Sequence, residues 1–265
     1  MKAQRPFVMI VALILLVSLA CSTLTGGASQ PEAVEEPDAA AADTNPSPQT
    51  PPEVLPSATP EQATEVVPTD TPASTGPYFT EEFDSDPGWD YLAVKDETNA
   101  KQVDSDPESV TTKFSNGRMI FNIPEEWLSA FYTYTGETYE DVRLDMEVEN
   151  RGVSAQQVSL VCRSSGDKSY EIEVSSNGKW IFKLNRRQVI NGASTAIKTG
   201  KETNQYTLIC KGNEVTFLFN GTEPKGSPFI DNQAALGAGN VGFVVTSKRA
   251  IPVDVEITWF KVSEP

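Results

Sequence analysis

The chain has 265 residues and a formal charge of −16, from 21 Lys+Arg against 37 Asp+Glu, and it contains no histidine. The missing histidine excludes Ser-His-Asp and Cys-His catalysis, imidazole zinc sites and histidine pH switches, and the negative charge argues against binding nucleic acid or anionic lipid through a basic surface. Apolar residues make up only 38% of the chain, low for one globule of this size, so part of it lies outside a folded core.

The chain opens on a targeting segment. Lys2 and Arg5 precede an apolar run over residues 7–20 (FVMIVALILLVSLA), too short to span a bilayer and of the right length for an export signal over residues 1–20. Ser18-Leu19-Ala20 puts small residues at −3 and −1 relative to Cys21. The run resembles a bacterial lipoprotein signal, although the usual pattern prefers Leu at −3 and here Leu19 is at −2. The resemblance implies cleavage before Cys21, lipidation of that cysteine and attachment to the bacterial cell surface by lipid alone. Plain signal-peptidase cleavage with secretion, and an uncleaved anchor, are the other two readings.

Residues 21–76 follow as a tether. Residues 22–76 hold more than half of the 19 prolines, nine acidic residues, no Lys or Arg and no aromatic. Such a segment cannot bury enough apolar surface to offset its ordering entropy and is expected to stay disordered. It would reach roughly 40 Å as a flexible coil and up to about 170 Å as polyproline, with Pro and like charges favouring the longer end.

Residues 77–265 are long enough for one core. Asp84, Asp86 and Asp90 in DSDPGWD read either as calcium ligands or as an Asp/Pro/Gly turn leading into a core Trp89; their spacing does not match the EF-hand loop. PEEWLSAF (124–131) allows one short helical piece. Strict alternation then dominates, over residues 141–149, 169–174, 214–219 and 252–259, the signature of half-buried antiparallel strands. Turns fall between them at Asn116-Gly117, Asn177-Gly178, Gly212-Asn213 and Asn220-Gly221. Asn220-Gly221-Thr222 also spells a glycosylation sequon, with a hairpin turn the better reading. The apolar phase slips between Trp259 and Phe260, which predicts a bulge. These segments predict eleven to thirteen strands in two packed sheets.

EEFDSDPGWD, VSLVCRSSGDKSYEIEVSSNGKWIFKL, NQYTLICKGNEVTFLFNG and GNVGFVVTSKRAIPVDVEITWFKV occur in that order across residues 78–263. Together they resemble the concanavalin A-like jelly roll of many bacterial lipoproteins, a superfamily that includes laminin-G-like domains, the 3-keto-disaccharide hydrolase-type domain and family 16 glycoside hydrolases. The resemblance implies a two-sheet antiparallel sandwich and leaves the activity open, because the fold carries enzymes, lectins and spacers alike. No cofactor and no metal is expected.

Cys162 and Cys210 each lie in an apolar strand segment. In an oxidising compartment they pair, closing a loop of about 49 residues for about 4 kcal/mol; two free buried thiols are the alternative. Alternation puts Asp145, Glu147 and Glu149 on one face. Family 16 enzymes use a Glu-Asp-Glu order on a concave strand, so the Asp-Glu-Glu order here carries over no catalytic role and a solvated face is the plainer reading, as for Glu171 and Glu173. Tyr170 and Trp180 alternate in phase with Ile172 and Phe182 and belong to the core. Tyr132 and Tyr134 share a face opposite Phe131 and are candidates for exposure; with Trp127 they are the expected sugar-stacking platform. Three functions stay open: a non-catalytic module binding glycan or another extracellular polymer, a glycoside or keto-disaccharide hydrolase, and a scaffolding domain without small ligand.

Overall fold

The computed structural model describes residues 76–96, 105–153 and 155–265. The export signal, Cys21 and all of the tether except Gly76 lie outside the described residues. Fifteen strands form among the described residues: β1 (Phe79–Glu81), β2 (Asp90–Lys95), β3 (Thr111–Phe114), β4 (Met119–Ile123), β5 (Leu128–Tyr139), β6 (Val142–Asn150), β7 (Gln157–Ser165), β8 (Lys168–Ser175), β9 (Lys179–Leu184), β10 (Arg187–Ala193), β11 (Thr203–Lys211), β12 (Glu214–Phe219), β13 (Phe229–Ile230), β14 (Gly239–Thr246) and β15 (Val253–Ser263). The excess over the expected eleven to thirteen comes from β1, β3 and β13, whose three, four and two residues are too few to display alternation.

Eight strands form one sheet, in the order β13-β12-β11-β6-β15-β4-β3 with β1 also on β15; seven form the other, β10-β9-β8-β7-β14-β5-β2. Neighbours are antiparallel throughout. The chain crosses repeatedly between the sheets, as from β5 to β6 to β7, which makes the domain a jelly-roll sandwich. On β6 the alternation resolves as expected: Val142, Leu144, Met146 and Val148 are buried, while Arg143, Asp145, Glu147 and Glu149 face outward. The register of β15 shifts between Ile257 and Trp259, so the expected bulge turns Phe260 back into the core. Asn220 (φ 49°) and Gly221 (φ 77°) form a two-residue turn, and the Asn220 side-chain Nδ2 donates to Ala196 O and Asn204 Oδ1.

Residues 124–131 do not make a helical piece. Only Pro124–Trp127 separate β4 from β5, and from Leu128 onward period-two burial takes over, with Leu128, Ala130 and Tyr132 in the core. The two sheets meet through packed rings, among them Phe121, Phe182, Phe217, Phe243 and Phe260, each contributing about 1.5–3 kcal/mol by burial. Cys162 of β7 and Cys210 of β11 form a disulfide that joins the two sheets. The next residue, Arg163, adopts φ 50° and breaks the register of β7, so that it follows Cys162 inward. It is only 1% exposed and donates to the carbonyls of Glu140, Gly212 (2.8 Å) and Leu236 (2.9 Å). It thereby ties three loops to the end of β7 and returns Ser164 to the outer face.

Candidate functional site

A cavity of about 440 Å³ lies on the outer face of the seven-stranded sheet, crossing β2, β5, β14, β7 and β8. Strand register arranges its floor in rows. The first row is apolar: Leu92, Phe131 and Val244 lie side by side, with Leu92 59% exposed and Phe131 half-buried. The next row runs Asp90, Thr133, Gly242, Val161 and Glu171. Beyond it lie Thr135, Asn240, Ser164 and Ser169, with Arg186 at the rim. Gly242 keeps the centre low: a Cβ there would stand 2.1 Å from the Tyr132 carbonyl oxygen. The side chains of Thr133, Thr135, Asn240, Ser164 and Ser169 make no hydrogen bond to any other described residue, so they face the groove as open donors and acceptors. The groove thus has an apolar wall and a polar wall side by side.

A charged cluster borders it on β8 and β9. Lys183 donates to Glu171 and Glu173, at 2.8 Å each, while Lys248 reaches Glu173 at 2.6 Å and Ser159 donates to Glu171 at 2.7 Å. Glu173 is 4% exposed, with both lysines paired to its carboxylate. Burial alone would raise its pKa; the charges and hydrogen bonds of Lys183 and Lys248 outweigh that and hold the carboxyl below its usual value. Lys183 is likewise pulled down by burial and pushed further up by its two carboxylates, so its pKa is raised. This is a closed ion-pair cluster in which Glu173 stays ionised, the opposite of what a general acid requires.

The sequence-derived sites are distributed differently from expectation. Tyr132 is not exposed: it is 4% accessible, its ring lies parallel to that of Phe243 (5.6 Å between centroids), and its hydroxyl reaches Thr112 on the opposite sheet at 3.3 Å. Tyr134 points the same way and packs on Phe79 and Trp89, at 4.6 and 5.7 Å. Alternation correctly paired these two opposite Phe131, but the sheet turns Phe131 outward, so the aromatic on the groove is the residue set aside. Trp127 is half-buried at the start of β5, with φ 62° and the Arg249 guanidinium 5.9 Å from its ring centre, and it does not line the groove.

The carboxylate run of β6 lies on the other sheet. Asp145 is held by Arg143 and Thr207, Glu149 and Glu256 share Arg118 and Arg151, and Glu147 takes a hydrogen bond from Gln205. Its three carboxylates do share one face, outward and away from the groove. Asp84, Asp86 and Asp90 are exposed, and Asp86 accepts from the Gly88 amide at 2.9 Å, as the Asp/Pro/Gly turn reading requires. Trp89 packs against the core between Phe83 and Phe260. Among the described residues no group of three or more acidic or cysteine side chains is placed to hold a metal. Phe131 carried a sequence signal, its alternation with Tyr132; the polar row carried none, because single Thr, Ser and Asn residues on strands are ordinary.

No family model matches the chain, and no curated protein matches it in sequence. Solved structures do match in fold. The domain is similar to a Bacteroides ovatus mixed linkage glucan GH16 protein in complex with a G4G4G3G product (10% identity, covering 70% of this chain and 99% of that one, TM-score 0.53). It is also similar to a protein of unknown function with a galectin-like fold from Bacillus subtilis (12%, 70% and 94%, TM-score 0.51) and to a Bacillus licheniformis beta-glucanase (10%, 72% and 100%, TM-score 0.50). At these identities the likeness speaks for the two-sheet jelly-roll fold and for nothing finer.

Proposed function

We propose that this is an exported surface protein, lipid-anchored through Cys21, whose sandwich domain binds a carbohydrate chain without cleaving it. The observation that carries the binding reading is the groove across the seven-stranded sheet, where Leu92, Phe131 and Val244 run beside open Thr, Ser and Asn side chains. Pyranose rings present the same division, with C–H faces that pack on apolar side chains and hydroxyls at the edge. Solved sandwiches of this shape include a beta-glucanase and a mixed linkage glucan GH16 protein in complex with a G4G4G3G product, which makes glycans the first class to test.

The non-catalytic reading rests on the carboxylates. Asp90 and Glu171 line the groove on β2 and β8, strands whose backbones lie four inter-strand spacings, roughly 19 Å, apart along the sheet. Glycoside hydrolysis needs a pair about 5–9.5 Å apart, one of them protonated. Glu173, the other acid beside Glu171, is held ionised by its lysines.

A glycan array probed with wild type and with Phe131→Ala tests the binding reading. Specific signal that weakens in the variant is expected; no signal on any sugar overturns it. For the anchor, a Cys21→Ser chain is expected to lose incorporated fatty acid and appear in the medium. Retention of label by that variant contradicts the assignment.

A further inference from the structure

We infer that the polar end of the groove receives the carboxylate of a uronic-acid unit, bound by Arg186 together with the hydroxyls of Ser164 and Ser169. The inference rests on the glycan reading above and names the class of glycan.

Arg186 occupies an unusual place. The two-residue turn between β9 and β10 has Asn185 at φ 52° and Arg186 at φ 62°. Such a turn favours Asn followed by Gly, since both central residues need the left-handed region. A long side chain in the second position costs the fold about 1 kcal/mol or more relative to glycine. What that position delivers is a guanidinium at the rim of the cavity, next to Ser164, Gly166 and Ser169. It is 65% exposed, and its contacts are a 3.2 Å ion pair with Asp167, itself 93% exposed, and a 3.5 Å approach to the Gly166 carbonyl. A pair this exposed holds the side chain only weakly, so the planar fork is free to exchange Asp167 for a ligand carboxylate.

The local charge agrees. Residues 77–265 carry an excess of nine acidic over basic residues, yet the two adjoining turns and the strand residues that follow them hold Lys168, Arg186 and Arg187 against the single Asp167, with Arg186 the one that lines the cavity. The nearest carboxylate on the floor, Glu171, is already matched by Lys183 at 2.8 Å and does not repel an incoming anion. Ser164, Ser169 and Asn240 supply hydroxyl and amide donors with no other described partner. A carboxylate, planar and with two acceptor oxygens, fits a bidentate guanidinium flanked by hydroxyls. A neutral hexose offers the fork only uncharged hydroxyl acceptors, without the charge or the bidentate match.

The test uses the full-length protein and a panel of galacturonate, glucuronate, mannuronate and guluronate oligosaccharides, each beside its carboxyl-reduced neutral counterpart. At least one uronate is expected to bind about tenfold or more tightly than its reduced form, a preference that falls with salt. Arg186→Gly restores the favoured Asn-Gly turn, so it should melt no lower than wild type while losing the preference for the acid. Arg186→Lys keeps the charge without the fork and should retain only part of it. Equal binding of acid and reduced forms, or a preference that survives Arg186→Gly, overturns the uronate assignment and leaves the groove reading standing. Absence of binding to every member, acidic and neutral, overturns the groove reading itself.

Discussion

Arg163 is the residue on which the loops at one end of the sandwich depend, and Arg163→Met isolates its contribution. Methionine keeps an unbranched stem in the same bulge and removes every donor. The carbonyls of Gly212, Leu236 and Glu140 then lose a charged partner, and the ring of Tyr170 loses a guanidinium 5.7 Å from its centre. Orphaning a carbonyl costs about 1–3 kcal/mol, toward the lower end where water can replace the donor. Gly212 and Glu140 belong to exposed turns and rehydrate readily, whereas Leu236 is half-buried. The lost cation–π contact adds about 0.5–2 kcal/mol, and relief of the buried guanidinium's own desolvation offsets part of the total. We expect a net loss of about 3 kcal/mol, read as a lower urea midpoint at unchanged m-value, because the surface exposed on unfolding stays the same. Arg163→Lys, which keeps one charge but cannot reach three diverging carbonyls, should lose about half as much. A loss below about 1 kcal/mol for the methionine variant, or a larger one for lysine than for methionine, would refute this account of the loops.

Three further outcomes follow from the packing. Replacing Cys162 and Cys210 together by Ala should cost about 4 kcal/mol, and wild type under reducing conditions should fall to the same midpoint; a change of under 1 kcal/mol would mean that the link constrains nothing in the unfolded chain. Gly242→Ala puts a methyl against the Tyr132 carbonyl and forces β14 from β5, for a loss of about 2 kcal/mol or more by denaturant titration. The Glu173 carboxyl sits below its usual value of 4.5 in the fold, so its stabilising contribution is complete above that value and drains away as pH falls through the lower, folded one. Lys183, raised above 10.5, gives a contribution complete below that value and lost as pH rises through the folded one. Glu173→Gln should therefore flatten the acid limb of the stability profile, and an unaltered acid limb would count against the cluster.

The all-β class was legible because half-buried strands alternate. DVRLDMEVE could be read without any knowledge of neighbours, as could the slip of phase that became the bulge at Ile257–Trp259. The same local rule put Trp180 and Tyr170 in the core, while the two cysteines, legible only as members of apolar strand segments, are brought together across the sheets by the fold. Alternation states which residues share a face and is silent on where that face points. Tyr132 and Tyr134 were correctly grouped and wrongly turned outward, because the direction is decided by strands distant in sequence: Phe121 and Thr112 receive Tyr132, while Phe79 and Trp89 receive Tyr134. The Arg163 bulge was invisible for the related reason that a charged residue in VSLVCRSS reads as solvent-facing until three loop carbonyls come together around it. The groove is the largest case. Its apolar and polar rows run across five strands drawn from residues 90 to 244, so no segment contains it. Local patterning along the chain determined the strands, and only the lateral order of those strands in the sheet could make a surface from them.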